Sequence, residues 1–309
     1  MPPLTAATRR ELGMRAAHSR MFQQDKVWSK YSNDKVDIAH TLARVIRTLC
    51  RSLPLGRPLA ALSLGSSNEP QFRVLESIFR GGLYLVDIEE SALDVVAERI
   101  ARQATGGVVL VRGDFTKLMG TPAAARRFRA ARLRGQRMTL VTLHHSLYYA
   151  RRPAWPALFE ALYREILARP ARGVGSPSAA IHAVLMAARS ADPSSTTWLY
   201  NYFAGRFCGA RNEQDLRAFA ATLARAPGLA DARVRSRSSR VEFFVDDFER
   251  LMGVVWMILL YPNVHRYTRE QMIEIIEHVY ERLWRPGRPL VQVQDHLVCY
   301  RGRRGAALG

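Results

Sequence analysis

Leu59-Ala60-Ala61-Leu62-Ser63-Leu64 is a short apolar run, and Gly65-Ser66-Ser67-Asn68-Glu69-Pro70 follows it as a turn of small and polar residues. Phe72, Leu75, Ile78 and Phe79 then recur at helical spacing until Gly81-Gly82 stops the pattern. A second apolar run, Leu83-Tyr84-Leu85-Val86, ends in Asp87. The stretch reads as strand, tight turn, helix and strand with a terminal acid, which is the nucleotide-binding half of a doubly wound sheet. A small-residue turn lets backbone N–H groups approach a ligand, and the helix behind it presents a positive end. An acid at the tip of the next strand can accept hydrogen bonds from a ribose diol. The turn holds one glycine, so it does not make the G-x-G-x-x-G fingerprint, and an ordinary strand-to-helix turn of another α/β protein is the alternative for this unit alone.

The rest of the chain repeats the alternation. Upstream, Val36, Ile38, Leu42, Val45, Ile46 and Leu49 predict a helix over 35–51, and two prolines in 52–58 break it. Downstream, helix is expected over 91–104, with Ser91 as its cap, and a third strand over 108–111 that leaves through Gly113-Asp114. An arginine-rich helical stretch over 121–137 leads to a fourth strand over 138–143, opening onto His144-His145-Ser146-Leu147-Tyr148-Tyr149. Helices are predicted over 155–167, 215–226, 246–260 and 268–284, and strands over 179–187, at Val234 with 241–245, and over 290–300. Residues 190–211 read as irregular and aromatic-rich. Strands alternating with helices predict an α/β layered fold, a doubly wound, mostly parallel sheet of seven strands. Ligands in such sheets bind at the carboxyl ends of the strands, and the polar exits at Gly65-Ser66, Asp87, Gly113-Asp114 and His144-His145 follow that rule.

Composition narrows the function classes. A chain of 309 residues with 48% hydrophobic residues can bury a substantial core. Cys50, Cys208 and Cys299 lie far apart without a C-x-x-C pair, which argues against a disulfide framework or a zinc site and fits a reducing, cytoplasmic setting. No apolar run is long enough to span a bilayer, and 1–20 lacks the apolar core of a secretory signal. The formal net charge is +19, yet lysine occurs only at Lys26, Lys30, Lys35 and Lys117, so the charge is nearly all arginine scattered through helices and loops. Such a surface can attract nucleic acid, phosphorylated compounds or anionic membranes, but no aromatic-plus-basic module accompanies it, and a solvated arginine-rich surface is the favoured reading.

The order of motifs resembles the class I S-adenosylmethionine-dependent methyltransferases, over about residues 27–301. Leu62 to Glu69 stands where that family keeps its glycine-rich first motif, Asp87 where its ribose-binding acid lies, and Gly113-Asp114 where adenine is contacted. Within the superfamily the layout is similar to the histamine N-methyltransferase family. His145-Ser146-Leu147-Tyr148-Tyr149 is similar to that family's segment ending Leu-Tyr-Tyr. The stretch from Tyr200 to Phe207 resembles its aromatic lid. Asp295 falls where it keeps a substrate-binding asparagine, and Asp34 near its substrate-binding glutamate. Ser67 and Glu69 replace two of the usual glycines, Ser63 stands in place of the acid before the motif, and His145 in place of a glutamine. The resemblance implies a Rossmann-like methyltransferase domain over 26–301. It comprises a helical cap over 26–56, a cofactor-binding half over 57–150 and a substrate-side half over 151–301 with an insertion near 188–212. A mobile basic arm over 1–25 and a basic tail over 302–309 flank it.

S-adenosylmethionine is the cofactor the resemblance implies, and transfer of its methyl group is an in-line displacement that chiefly demands alignment. Gly65, Ser66 and Ser67 are expected at the cofactor's amino-acid end, with Glu69 either on its ammonium or capping the next helix. Asp87 is expected on the ribose, or as a helix cap; Asp114 on the adenine, or closing a local turn. His144 and His145 are the base candidates, since a histidine titrates near neutrality. One of the pair is expected in the core; His145, with Tyr149, takes the catalytic assignment and His144 the cofactor side. Tyr148, Trp198, Tyr200, Asp34 and Asp295 are the expected substrate contacts, the acids favouring a cationic amine. His40, His182, His265 and His278 show no metal-ligand spacing. The function expected is methyl transfer to nitrogen or oxygen of a small-molecule acceptor; the alternatives are an RNA methyltransferase and a non-catalytic binding protein of the same fold.

Overall fold

The computed structural model describes residues 3–18, 27–50, 58–65, 79–103, 106–169, 178–260 and 267–302. Seven strands, β1 (Ala61–Leu64), β2 (Leu83–Asp87), β3 (Val108–Arg112), β4 (Leu140–His144), β5 (Ala179–Met186), β6 (Ala232–Phe243) and β7 (Leu290–Arg301), form one sheet in the order β3-β2-β1-β4-β5-β7-β6. The pairings β1–β2, β1–β4, β2–β3 and β4–β5 are parallel, in registers that set Ala61 beside both Leu83 and Leu140, and Thr142 beside His182. Strand order reverses at β1, which puts the switch point at the exits of β1 and β4. This is the doubly wound α/β sheet that the alternation predicts.

The turn into β2 explains why two glycines interrupt the first βαβ unit. Gly81 N–H donates to the Leu59 carbonyl, and a Cβ on Gly81 would lie 2.5 Å from that oxygen. Gly82 takes φ 123°, a conformation that L side chains rarely adopt. The predicted helix near 72–79 lies outside the described residues, apart from the buried Phe79.

Two compact units divide the chain. A sheet unit comprises Ile38–Leu185, Leu216–Arg237 and Asp295–Gly309; a helical unit comprises Met1–Asp37, Met186–Asp215 and Ser238–Gln294. In the sheet unit, the period-2 alternation of the strands feeds two cores. On one face Leu62, Leu64, Val86, Val141, Leu143, Ile181, Leu297 and Cys299 pack with Trp155, Phe159 and Phe219 from the helices of that side. On the other, Leu42, Val45, Ile46 and Leu49 of the helix Asp34–Cys50 cover Ala61, Leu83, Leu85, Leu140, Val298 and Tyr300. Each such burial removes apolar area from water, at about 1.5–3 kcal/mol for a large side chain.

The helical unit differs from expectation in two places. Within the segment expected as a mobile arm, Ala6–Ala17 form a helix, capped by Thr5, that packs on the helices Phe248–Leu260 and Arg269–Val279. Its anchors are tertiary: Trp256 Nε1–H donates to the Gly13 carbonyl at 2.8 Å, and Arg9 and Arg10 both reach Glu277. Residues 190–211, expected as irregular, contain the helix Thr196–Cys208. Ser195 caps it by accepting from Trp198 N–H, and Gly209 ends it at φ 65°. Its aromatic residues line more than one face, so no amphipathic stripe announces it.

Candidate functional site

The sheet unit assembles the candidate site along the carboxyl edge of the strands. Gly65 leaves β1 at φ 65°, and its N–H donates to the Val86 carbonyl at 2.8 Å. Gly113 N–H donates to the Asp87 carbonyl, and His145 N–H to the Val184 carbonyl, both at 2.8 Å. These main-chain bonds hold the exits of β1, β2 and β3, and those of β4 and β5, in line. The exits of β1 and β4 meet directly: a Cβ on Gly65 would lie 2.7 Å from Ser146 Cβ, so only glycine permits this approach. Ser146 is fully buried, and its Oγ has no hydrogen-bond partner among the described residues. A buried hydroxyl in that state costs about 1–3 kcal/mol unless something binds it. Ser66, Ser67 and Glu69, expected at the cofactor's amino-acid end, lie outside the described residues.

The two acids have local tasks. Asp87 Oδ1 accepts from Glu89 N–H at 2.9 Å, just ahead of the helix Glu90–Gln103. Asp114 caps the helix Phe115–Met119, its Oδ1 accepting from Thr116 N–H at 2.9 Å and Thr116 Oγ at 2.6 Å. Capping fixes the orientation of each carboxylate at the strand exit; a carboxylate has about four lone-pair sites, so a cap does not exhaust it. Both acids thus carry a turn role at a strand exit and keep acceptor capacity beyond it.

At the exit of β4 the two adjacent histidines part company. His144 is buried, and its Nε2 lies 3.1 Å from Nδ1 of His182 on β5. His145 adopts φ 53°, left-handed for a residue with a Cβ, which costs about 1–3 kcal/mol and is a conformation concentrated at functional sites. That conformation turns the chain so that His145 is half-buried, its ring stacked with that of Tyr148 at 6.2 Å between centroids. Tyr148 also packs on the core beneath it, while Tyr149 is about half exposed. Gly65, Asp87, Asp114, His144, His145, Tyr148 and Tyr149 therefore share one edge of the sheet unit. Asp295, in the same unit, is buried on β7.

The other expected contacts belong to the helical unit. Asp34 is fully buried; Trp28 Nε1–H donates to its Oδ2 at 3.1 Å, and Lys35 Nζ lies 3.5 Å from the same oxygen. Trp198 stacks on Tyr202 at 4.6 Å and on His278 at 5.5 Å, and Tyr200 is buried in that unit's core. Burial and the nearby Arg282 hold His278 below the ordinary histidine range.

Sequence reading passed over Ser146, His182 and His296. Ser146 sits inside a motif quoted for its tyrosines. His182 carried a weak signal, a single polar residue within an otherwise apolar strand, whereas His296 stands in a strand with several polar residues, and nothing local joins the two. Among the described residues there is no group of three or more His, Cys, Asp or Glu side chains able to hold a metal ion.

Neither a protein-family model nor a curated protein sequence matches the chain. Solved structures do. A putative methyltransferase from Bacillus halodurans superposes with a TM-score of 0.51 at 14% identity, over 84% of this chain and 99% of that one. A putative sarcosine dimethylglycine methyltransferase from Galdieria sulphuraria gives 0.48 at 13%, over 85% and 86%. A phosphoethanolamine N-methyltransferase from Haemonchus contortus, solved with S-adenosylhomocysteine, gives 0.46 at 13%, over 84% of this chain and 52% of that one. At these identities the first likeness establishes the fold, which is that of the Bacillus halodurans protein, and the other two add no argument. No helix among the described residues is long and apolar enough to cross a membrane.

Proposed function

We propose that this protein is an S-adenosylmethionine-dependent methyltransferase that transfers a methyl group to nitrogen or oxygen of a small-molecule acceptor. The observation that carries the reading is the junction of Gly65 and Ser146, a glycine-only approach of two strand exits beside a buried hydroxyl with no partner among the described residues. The residues of the carboxyl edge fit the cofactor: a left-handed glycine and the Ser146 hydroxyl for the amino-acid end, Asp87 for the ribose hydroxyls, and Asp114 for the adenine amine. When bound, the cofactor supplies an electrophilic methyl group on a positively charged sulfur. The chain's own part is alignment, exclusion of water and removal of a proton. Tyr148 and Tyr149 flank the exit of β4 and offer π faces to a cation, and the histidine pair there takes the proton that a neutral amine or hydroxyl loses. Nitrogen is the favoured acceptor, on the resemblance of His145-Ser146-Leu147-Tyr148-Tyr149 to the histamine N-methyltransferase segment and on the buried acid Asp295.

Calorimetric titration of S-adenosylmethionine and S-adenosylhomocysteine into wild type, Asp87→Ala and Ser146→Val tests this. Micromolar binding that weakens at least tenfold in either variant supports it, since loss of one hydrogen bond to a charged or buried group is worth about 1.5–3 kcal/mol. Wild type that binds neither compound refutes it.

A further inference from the structure

Three histidines from three strands form a continuous chain inside the sheet unit. His144 ends β4, His182 lies mid-strand on β5, and His296 lies on β7. His144 Nε2 and His182 Nδ1 are 3.1 Å apart; His182 Nε2 and His296 Nδ1 are 3.2 Å apart. All three are buried, at 2%, 0% and 1% exposure. The rings of His182 and His296 stack at 5.5 Å with 15° between planes. Buried polar groups are costly unless bonded, and apolar residues would fill these positions more cheaply. The pattern is a line rather than a cage: each ring nitrogen of His182 faces a ring nitrogen of a different histidine.

Proton counting makes this line cooperative. Burial, the two flanking histidines and Arg237 hold His182 neutral, well below the ordinary histidine range. A neutral imidazole carries one N–H, so it donates through one nitrogen and accepts through the other. If His182 accepts from His144, it must donate to His296, and if one contact reverses the other must reverse with it. The chain therefore has two states of opposite polarity, and both contacts reverse together when one does.

We propose that His144, His182 and His296 form a proton relay serving the methyl acceptor, with His144 as the general base and His182 and His296 as the positioning residues that set its tautomer. This rests on the methyltransferase reading for the identity of the proton donor. In the resting state His144 holds its proton on Nε2, donated to His182 Nδ1, and His182 holds its proton on Nε2, donated to His296 Nδ1. As the acceptor's N–H or O–H bond breaks, its electron pair stays on the acceptor atom and the proton joins His144 Nδ1. The Nε2 proton of His144 passes to His182 Nδ1, and that on Nε2 of His182 passes to His296 Nδ1, so that His296 ends holding both protons. One proton enters the chain, and His144 and His182 end neutral in the opposite tautomer. A charge is never localised on the buried ring of His182, which is the state its surroundings penalise most. The half-buried His145, turned outward by its left-handed backbone, is then a wall of the acceptor's side rather than the base.

The test uses the full chain with isotope-labelled imidazole nitrogens, followed by long-range proton–nitrogen correlation spectra between about pH 5 and about pH 8, the window in which ordinary histidines titrate. The expected result is a His182 that stays neutral throughout and a His144 protonated on Nε2 alone. His296→Leu, two contacts away, is expected to change the tautomer populations of His144, and His296→Asn, whose side-chain oxygen stands near the lost Nδ1, to restore them. A wild-type His144 carrying its proton on Nδ1, or a His144 tautomer indifferent to both substitutions, overturns the relay. Added S-adenosylhomocysteine separates the two claims: tautomer coupling without any spectral response to that compound leaves the relay in place and removes the methyltransferase reading, whereas a response without coupling does the reverse.

Discussion

The two faces of the same sheet are built from different chemistry. On one face Val141 and Leu143 of β4, Ile181, Ala183 and Leu185 of β5, and Leu297 and Cys299 of β7 are all apolar and buried, packed under Trp155, Phe159 and Phe219. On the other face the same three strands carry Leu140, Ala180, Val298 and Tyr300 under Leu42, Val45, Ile46 and Leu49, and in the same rows Thr142, His144, His182 and His296, equally buried. One-residue alternation separates the two sets. The burial is the same, so the hydrophobic effect can account for the first face and for the apolar layer of the second, but not for the polar residues set among it. Cys299 on the apolar face has its thiol pushed up to about 12 by burial, an inert group. On the polar face the titratable groups touch one another. The contrast teaches that one side of these strands is given wholly to apolar packing, while the other combines an apolar layer with a line of buried polar groups toward the carboxyl edge.

The sharpest way to break that contrast is to damage the apolar face. Trp155→Ala removes a fully buried indole that stacks edge-on with Phe219 at 5.3 Å, and should cost about 3–5 kcal/mol in chemical denaturation. A loss below about 1 kcal/mol would mean that this face is not the stabilising core. Gly65→Ala, at the junction of β1 and β4, forces a left-handed backbone on a residue with a Cβ and drives it against Ser146. It should cost about 1–3 kcal/mol, and it should abolish S-adenosylhomocysteine binding at temperatures where the fold persists. Binding within twofold of wild type would show that the turn does not hold the ligand.

The polar face is sharpened by pH. His182, faced by His144, His296 and Arg237, is neutral when folded, with its pKa lowered from 6.5, whereas the unfolded chain titrates it normally. Below the unfolded pKa the unfolded state binds the extra proton, so stability is fully present above that value and falls as the medium is acidified. Between about pH 7.5 and about pH 5.5 this single group should remove on the order of 1 kcal/mol of unfolding free energy. The half-buried His278, lowered by burial and Arg282, adds in the same direction. His182→Leu should flatten the acid side of the stability profile by about the same amount; an unchanged slope would place the loss elsewhere. The smallest effect is expected in the helical unit, where Ser195→Ala removes the cap of the helix Thr196–Cys208 and should cost about 1 kcal/mol. A cost near zero there would mark the helix as held by its aromatic packing alone.

Much of the fold is legible in short windows of the sequence. The glycine exit of β1 at Gly65, the glycine turn Gly81-Gly82 into β2, the strand exits at Asp87, Gly113-Asp114 and His144-His145, and the seven strands all follow from local alternation and from glycine's freedom at turns. Helices without an amphipathic stripe are not legible in this way. Ala6–Ala17 gains its order from Trp256 and Glu277, some 240 or more residues away along the chain. Thr196–Cys208 is announced only by Ser195 and Gly209 at its ends.

For the site the division is sharper. Local sequence determined which residues stand at the carboxyl edge, because a polar residue ending an apolar strand can be recognised within a few positions. It determined neither that Gly65 meets Ser146 nor that His144 meets His182 and His182 meets His296. Those neighbours are made by strand order β1-β4-β5-β7 and by a register that sets Thr142 beside His182. Periodicity fixes which residues of one strand share a face, but shifting a strand by one residue would reverse its face. Only the packed sheet, which chooses order and register together to bury both apolar cores, places three distant histidines in a line.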